Sequence, residues 1–353
     1  MKGVQTVFVG LSGGVDSSVA ALRLKKQGFK VVGVFIKVWH PDFMVCSWEA
    51  ERLDAMRVAA HLDIPFLTCD AEVVYRDEVA HYFIKEYKAG RTPNPDVLCN
   101  KEVKFGAFLD FAKERGADYI ATGHYVQNVP GEGCVELHRG TDTNKDQSYF
   151  LWSLSQEQLD SALFPVGSSE KSAIRAEAAK AGIPTASKKD SQGVCFLGHI
   201  DIKEFLSHYT TLEEGNVLDT GGNIIGRHSG ALIYTLGQRH GFTLTNNDTS
   251  RAGVYVVARD ILDNTVTVSQ NKLVTAAGSD FTLCHSVLRS EVKPGDIIDA
   301  QFRYRQTPFK IKIIDADQDT ITLETLEIVE VPAPGQSCVI YAGPHCLGGG
   351  MLV

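Results

Sequence analysis

The stretch "TVFVGLSGGVDSSVAALRLKKQG", Thr6 to Gly28, decides the fold class. Its first residues, Thr6 to Leu11, are dense in β-branched and aromatic side chains. Gly13 and Gly14 break that run, Val19 and Leu22 follow at helical spacing, and Gly28 stops the helix. A strand that turns through glycines into a helix opens a parallel sheet, and ligands of such sheets sit beyond the carboxyl ends of the strands. At that place the two glycines let backbone N–H groups approach an anion. Ser12, Ser17 and Ser18 add hydroxyl donors, and the helix presents its positive end. The loop therefore reads as a triphosphate cradle. Asp16 would oppose phosphate unless a cation lay between them, which makes it a candidate Mg²⁺ ligand. No lysine follows the glycines, so this is not a G-x-x-x-x-G-K-[ST] loop, and the spacing is not the dinucleotide G-x-G-x-x-G.

Outward from that stretch, strand and helix alternate. "KVVGVFIKVW" (30–39), "IPFLTCD" (64–70) and "ADYIATGH" (117–124) read as strands, with helical patterns at about 47–62, 71–88 and 102–115 between and after them. This predicts an α/β domain with a doubly wound parallel sheet over residues 1–200. The texture then changes to Gly-rich, short β-prone runs, and from about residue 280 "DIIDAQFRYRQ", "PFKIKIID" and "DTITLETLEIVEV" alternate apolar and polar residues. A small central linker domain is expected over 201–270 and a C-terminal β-barrel over 271–353. With 353 residues, 44% hydrophobic and 22% charged, the chain can fill these cores.

A net charge of −8 offers no bulk attraction for nucleic acid, so any such binding must use local patches. Arg303, Arg305, Lys310 and Lys312 form one such basic cluster on a β pattern. The N-terminus lacks the core of a signal peptide, and no apolar run reaches the roughly 18 residues of a membrane span. A cytoplasmic protein with reduced thiols is expected.

The eight cysteines contain no C-x-x-C pair, which gives no indication of a zinc site or a thioredoxin-type motif. Two of them stand in polar, cationic surroundings. Cys99 follows the proline-rich "TPNPDVLCN" (92–100), with Arg91, Lys101 and Lys104 nearby, and Cys195 follows Lys188 and Lys189 in a glycine-containing loop. Such settings lower a thiol pKa, although Cys99 reads equally well as a small buried hydrophobe. Cys46, Cys69, Cys134, Cys284, Cys338 and Cys346 are expected to be inert.

"GLSGGVDSSVAA", "EYKAGRTPNPDVLCNKEVKFG", "ADYIATGHY", "TNKDQSYFLW", "KDSQGVCFLG", "YTLGQRHG", "RYRQ" and "PGQSCVIYAG" together resemble, in that order, the bacterial tRNA-specific 2-thiouridylase (MnmA) family of PP-loop ATP pyrophosphatases. One departure is "VWHPDFMVCSWEAE" (38–51), where the family usually carries an acidic run. The resemblance implies an enzyme that adenylates C2 of the wobble uridine of tRNA with ATP and Mg²⁺, then replaces that oxygen by sulfur from a relay protein. It assigns ATP to Gly10, Leu11, Ser12, Gly13, Gly14, Val15, Asp16, Ser17, Ser18, Ile36 and Gly123. Cys195 would carry the persulfide, Cys99 would form a disulfide with it, and Asp96 would be the acid/base. Asn94, Pro95, Asp96, His124, Lys145, Asp146, Gln147, Arg303, Tyr304 and Gln336 would contact tRNA or the target base. Without the resemblance, a PP-loop ligase acting on a small molecule is the alternative reading.

Overall fold

The computed structural model describes residues 3–44, 48–189, 201–245 and 253–353. Strand β1 (Thr6–Gly10) runs into helix α1 (Val15–Lys26), β2 (Lys30–Lys37), α2 (Trp48–His61) and β3 (Phe66–Asp70). The chain then returns to the other side of β1 as β4 (Tyr119–Ala121), beside the short strand Ala162–Leu163. All neighbours in the order β3-β2-β1-β4 and the last short strand are parallel. The order reverses between β1 and β4, so the crevice at their carboxyl ends is the switch point where such sheets bind ligands.

The sheet is buried on both faces, as its continuous apolar strands require. Val7 and Val9 face α1, α2 and the helix Lys171–Lys180, whereas Phe8 faces Phe105, Phe108 and Leu109. Those last three belong to a helical run that begins at Pro95 and continues to Lys113. The sequence pattern places this helix only from about residue 102; the structure starts it at Pro95 and puts Cys99 within it. Asn94 caps the helix by accepting the N–H of Asp96 at 3.2 Å, and Pro95 occupies the first turn. There its missing N–H costs nothing and its fixed φ is already helical.

The central sheet has the order Phe242–Leu244, Ile224–His228, Gly215–Leu218, Thr265–Ser269, Tyr255–Asp260. In the C-terminal part, six antiparallel strands close on themselves, because His345–Leu352 pairs with both Ser337–Ala342 and Asp280–Leu288. Leu283, Phe302, Ile311, Ile313, Leu323 and Ile340 fill this barrel.

Two features cross the expected boundaries. Helix Ile202–Ser207 buries Phe205 and Leu206 in the cluster that holds Cys99, Tyr75 and Phe83. The hairpin Val126–Pro130/Val135–Arg139, from the N-terminal half of the chain, joins the barrel sheet through the pair His138–His345. Among the described residues no helix is long and apolar enough to cross a membrane.

Candidate active site

At the end of β1, the N–H of Leu11 still donates to Val34 at 2.7 Å, and the chain then leaves the sheet. Gly13 adopts φ +70°, a region that disfavours any Cβ, and an added one would lie 2.7 Å from Asp54 Cβ and 2.9 Å from the Glu51 carbonyl. Helix α2 thus closes directly over the loop. The serines divide their work. Ser18 is fully buried and donates to the Gly14 carbonyl at 2.6 Å; Ser17 donates to the same carbonyl at 3.3 Å and accepts the N–H of Ser12. These two shape the loop, while Ser12 is exposed. Leu11 and Val15 are buried anchors, and Gly10 lies under Ile36 and Phe108.

Asp16 has a partner that sequence reasoning missed. Lys171 Nζ lies 2.7 Å from both of its oxygens, and Tyr125 Oη donates to it at 2.7 Å. The ion pair is largely enclosed, with side-chain exposures of 11% for Lys171 and 29% for Asp16. Lys171 therefore supplies the compensating charge for which Mg²⁺ was invoked, and this donor set does not call for a metal. No short-range signal links residues so far apart in sequence.

Across the crevice, Gly123 lies two residues past the end of β4, and a Cβ there would lie 2.6 Å from Ser17 N and 2.8 Å from Asp16 C. Only hydrogen fits where this backbone meets the start of α1. The next residue, His124, accepts or donates at Nδ1 to Thr122 Oγ1 at 2.8 Å and packs against Phe105 and Phe164. Burial, with the Lys104 charge in addition, holds its pKa well below the ordinary histidine value, so the ring is neutral at pH 7. Lys104 Nζ donates to Asn100 at 3.0 Å, and Asn100 in turn donates to the Phe150 carbonyl.

The same lysine acts on Asp96. Burial pushes that carboxyl above its ordinary value, and Lys104 pulls it partly back. The Lys104 charge thus bears on both Asp96, one turn before Cys99, and His124, which follows Gly123 beside the nucleotide loop. From sequence Lys104 figured only as a cation near Cys99 and Asn100 was not singled out, although their helical spacing would have paired them.

Cys99 is 2% exposed and packs with Tyr75, Val79, Phe83 and Val103 at the start of a π-helical stretch, Cys99–Ala107. Wide helical turns of this kind concentrate at functional sites. The cations invoked for it are partly spent elsewhere: Arg91 holds Glu86 at 2.5 Å, and Lys101 lies 3.4 Å from Glu102. Burial raises the pKa of Cys69 to about 11 and also that of Cys284, Cys338 and Cys346, as expected of inert thiols. Cys195 and Cys46 lie outside the described residues. Lys188, a few residues before Cys195, pairs with Asp54 at 2.8 Å, and Asp54 is the residue that abuts Gly13.

The remaining residues expected to contact tRNA form two groups. Lys145, Asp146 and Gln147 lie in a turn between the hairpin and the helical turn Ser148–Phe150. Asp146 is buried and accepts from Arg139, Gly140 and Ser148, and Gln147 accepts the N–H of Tyr125. These two side chains shape the turn.

Arg303 lies 3.1 Å from Glu330 and donates to the Leu236 carbonyl of the central domain, while Tyr304 packs on Phe150. Lys310 pairs with Asp299 at 2.8 Å, so the basic cluster read from sequence is partly neutralised. Gln336 donates to the Thr92 carbonyl at 2.6 Å, directly upstream of Asn94 and Pro95.

A parallel sheet with a serine–glycine anion loop at its switch point, followed by a small β domain and a closed barrel, defines an ATP-using PP-loop enzyme with two appended β domains. The comparisons agree. Residues 5–199 match the tRNA methyl transferase HUP domain, residues 203–270 the tRNA methyl transferase PRC-barrel domain, and residues 285–352 the aminomethyltransferase beta-barrel domain.

The chain is 43% identical over 353 residues to the tRNA-specific 2-thiouridylase MnmA of Enterococcus faecalis, covering 98% of this chain and 94% of the relative. It is 44% identical over 354 residues to that of Streptococcus thermophilus, with the same coverage. A solved 4-thiouridine synthetase–RNA complex with bound ATP is similar at 20% identity, TM-score 0.36, over 58% of this chain and 50% of that one. The chain belongs to the tRNA-specific 2-thiouridylase MnmA family.

Proposed function

We propose that this protein thiolates C2 of the wobble uridine in tRNA, using ATP to activate the carbonyl oxygen and a cysteine persulfide as the sulfur source. The observation that carries this reading is the continuity of the site. Gly123 touches Asp16 and Ser17 of the nucleotide loop, His124 follows it and packs on Phe105, and Phe105 lies in the same helical run as Asp96 and Cys99.

A uracil carbonyl oxygen is a poor leaving group. In the proposed reaction Asp96 takes the N3 proton, electron density moves to O2, and O2 attacks the α-phosphate of ATP. Pyrophosphate departs into the loop of Ser12, Gly13 and Gly14, whose N–H groups and helix end receive its charge. Lys171 holds the Asp16 carboxylate neutralised beside those phosphates. Mg²⁺ would accompany ATP as phosphate counterion, and no step here depends on a protein ligand for it.

The terminal sulfur of a Cys195 persulfide then attacks C2 and AMP leaves. Cys99 attacks the Cys195 sulfur, which breaks the S–S bond, releases the thiocarbonyl and leaves a Cys99–Cys195 disulfide for an external thiol to reduce. Cys99 is buried, so this step requires its helix start to open.

In a strain lacking the gene, nucleoside mass spectrometry of bulk tRNA should show no 2-thiouridine derivative. Wild type should restore it and Cys99→Ala should not. Unchanged thiolation in the deletion would exclude the proposal.

A further inference from the structure

Strand Val135–Arg139 alternates its side chains, which puts Glu136 and His138 on one face. His138 stands directly opposite His345 in the ladder that joins this hairpin to the barrel. Cross-strand neighbours approach closely, and these two imidazoles stack with centroids 5.1 Å apart and planes 12° apart. Glu136 Oε2 lies 2.7 Å from His138 Nε2 and 3.7 Å from His345 Nδ1. Among the described residues this is the one group of three potential ligands whose donor atoms all fall within 4.8 Å of one another.

Three further facts separate the cluster from an ordinary surface ion pair. All three side chains are half-buried, His345 at 15% and His138 at 18% exposure. His345 Nε2 is buried with no hydrogen-bond partner among the described residues, and its Nδ1 faces Glu136 Oε2 at 3.7 Å. The backbone beneath is fixed by the Arg139 N–H donating to the Pro344 carbonyl at 2.9 Å.

Around a tetrahedral ion with bonds of about 2.0–2.1 Å, ligand atoms sit roughly 3.4 Å apart. Glu136 Oε2 already stands at about that spacing from the two imidazole nitrogens, at 2.7 and 3.7 Å, and the stacked rings must turn about their side-chain bonds to aim both nitrogens at one ion. Two imidazoles and one carboxylate suit a borderline divalent ion such as Zn²⁺ and not the all-oxygen shells of Mg²⁺ or Ca²⁺.

We propose that Glu136, His138 and His345 form a zinc-type divalent metal site that staples the N-terminal hairpin to the last strand of the barrel. Two ligands come from the nucleotide-binding part of the chain and one from the barrel, so the ion fixes how these parts are joined. The absence of C-x-x-C pairs in the sequence did not exclude it, because the ligands are brought together by strand pairing. The site is separate from the proposed thiolation chemistry, and its test does not depend on that activity.

The full-length protein is stripped with chelator and titrated with Co²⁺, then with competing Zn²⁺. Tetrahedral cobalt bands without a thiolate charge-transfer band are expected, displaced by Zn²⁺, and Zn²⁺ should raise the thermal midpoint. In His138→Gln/His345→Gln, affinity should fall at least about tenfold and the Zn²⁺-dependent stabilisation should vanish. Should that double variant fail to fold by circular dichroism, Glu136→Gln, which keeps the side-chain shape, is read in its place. Wild-type affinity retained in the variant, or a spectrum carried only by thiolate ligands, would overturn the proposal.

Discussion

Gln336, in the turn that leads into strand Ser337–Ala342 of the barrel, donates its side-chain amide to the backbone carbonyl of Thr92 at 2.6 Å. The same segment is held from two more directions, because the Thr92 N–H donates to the Pro334 carbonyl and its hydroxyl meets that of Thr235 at 3.1 Å. Asn94, Pro95, Asp96 and Cys99 follow immediately. The barrel and the central domain therefore brace the start of the helix that carries the proposed acid/base and nucleophile.

Gln336→Ala should thus act on the protein itself before it acts on RNA. Leaving the Thr92 carbonyl unpaired in a half-buried position costs about 1–3 kcal/mol. Thermal unfolding of the tRNA-free protein should register this loss. A variant of unchanged stability that binds tRNA more weakly would return Gln336 to a purely RNA-contacting role.

Two glycines of the nucleotide site make opposite predictions. A Cβ at Gly123 meets Ser17 N at 2.6 Å, which is backbone and cannot swing aside, while at Gly10 the nearest atoms are side-chain carbons at 3.6 Å. Gly123→Ala should lose about 1–3 kcal/mol of stability and weaken ATP binding by displacing α1. Gly10→Ala should do neither. Calorimetric ATP titration of both variants checks the contrast.

Lys171→Met strands the Asp16 carboxylate beside the phosphates. Because the pair is mostly enclosed, the loss should be about 1–3 kcal/mol in stability, with weaker ATP affinity. Asp16→Asn/Lys171→Met should recover part of both. A double-mutant cycle measured by denaturant unfolding gives the coupling, and additivity of the two substitutions would contradict the assignment.

With Asp96 as the proposed base, Lys104 should shift the pH profile. Asp96 must be deprotonated to take the N3 proton, so activity should fall as pH drops through a pKa that lies above the ordinary carboxylate value. Lys104 lowers that pKa, and Lys104→Met should therefore move the acid limb of kcat to higher pH. Removing this cation also raises the His124 pKa. For stability the sign is opposite to the usual carboxylate case: the raised Asp96 pKa favours the folded state below the unfolded pKa, and that contribution is lost as pH rises through the folded value.

Much of this architecture was legible in the sequence where local pattern and final environment agree. Thr6–Gly28 declared strand, anion loop and helix because apolar periodicity and glycine placement are local. The alternating runs after residue 280 declared the barrel's strands for the same reason. The helix start at Pro95 was legible but the apolar pattern showed the helix only from about residue 102; Asn94 followed by Pro95 and Asp96 is a cap, a first-turn proline and an acid at the helix's positive end.

The Asp16–Lys171 pair, the Gln336–Thr92 brace and the His138–His345 stack carry no local pattern. Each depends on which distant elements the topology places side by side. Asp146 and Arg303, which the resemblance assigned to tRNA, also have partners within the protein: buried Asp146 accepts from Arg139, Gly140 and Ser148, and half-exposed Arg303 pairs with Glu330.

The most direct measurement of the central claim is a reconstituted reaction of the purified protein with ATP, unmodified tRNA and a persulfide donor, in which AMP, pyrophosphate and 2-thiouridine are quantified together. The account predicts equal amounts of all three, and none of the 2-thiouridine with Cys99→Ala or Asp96→Asn. AMP and pyrophosphate released without any 2-thiouridine, or thiolation that continues in Cys99→Ala, would contradict it.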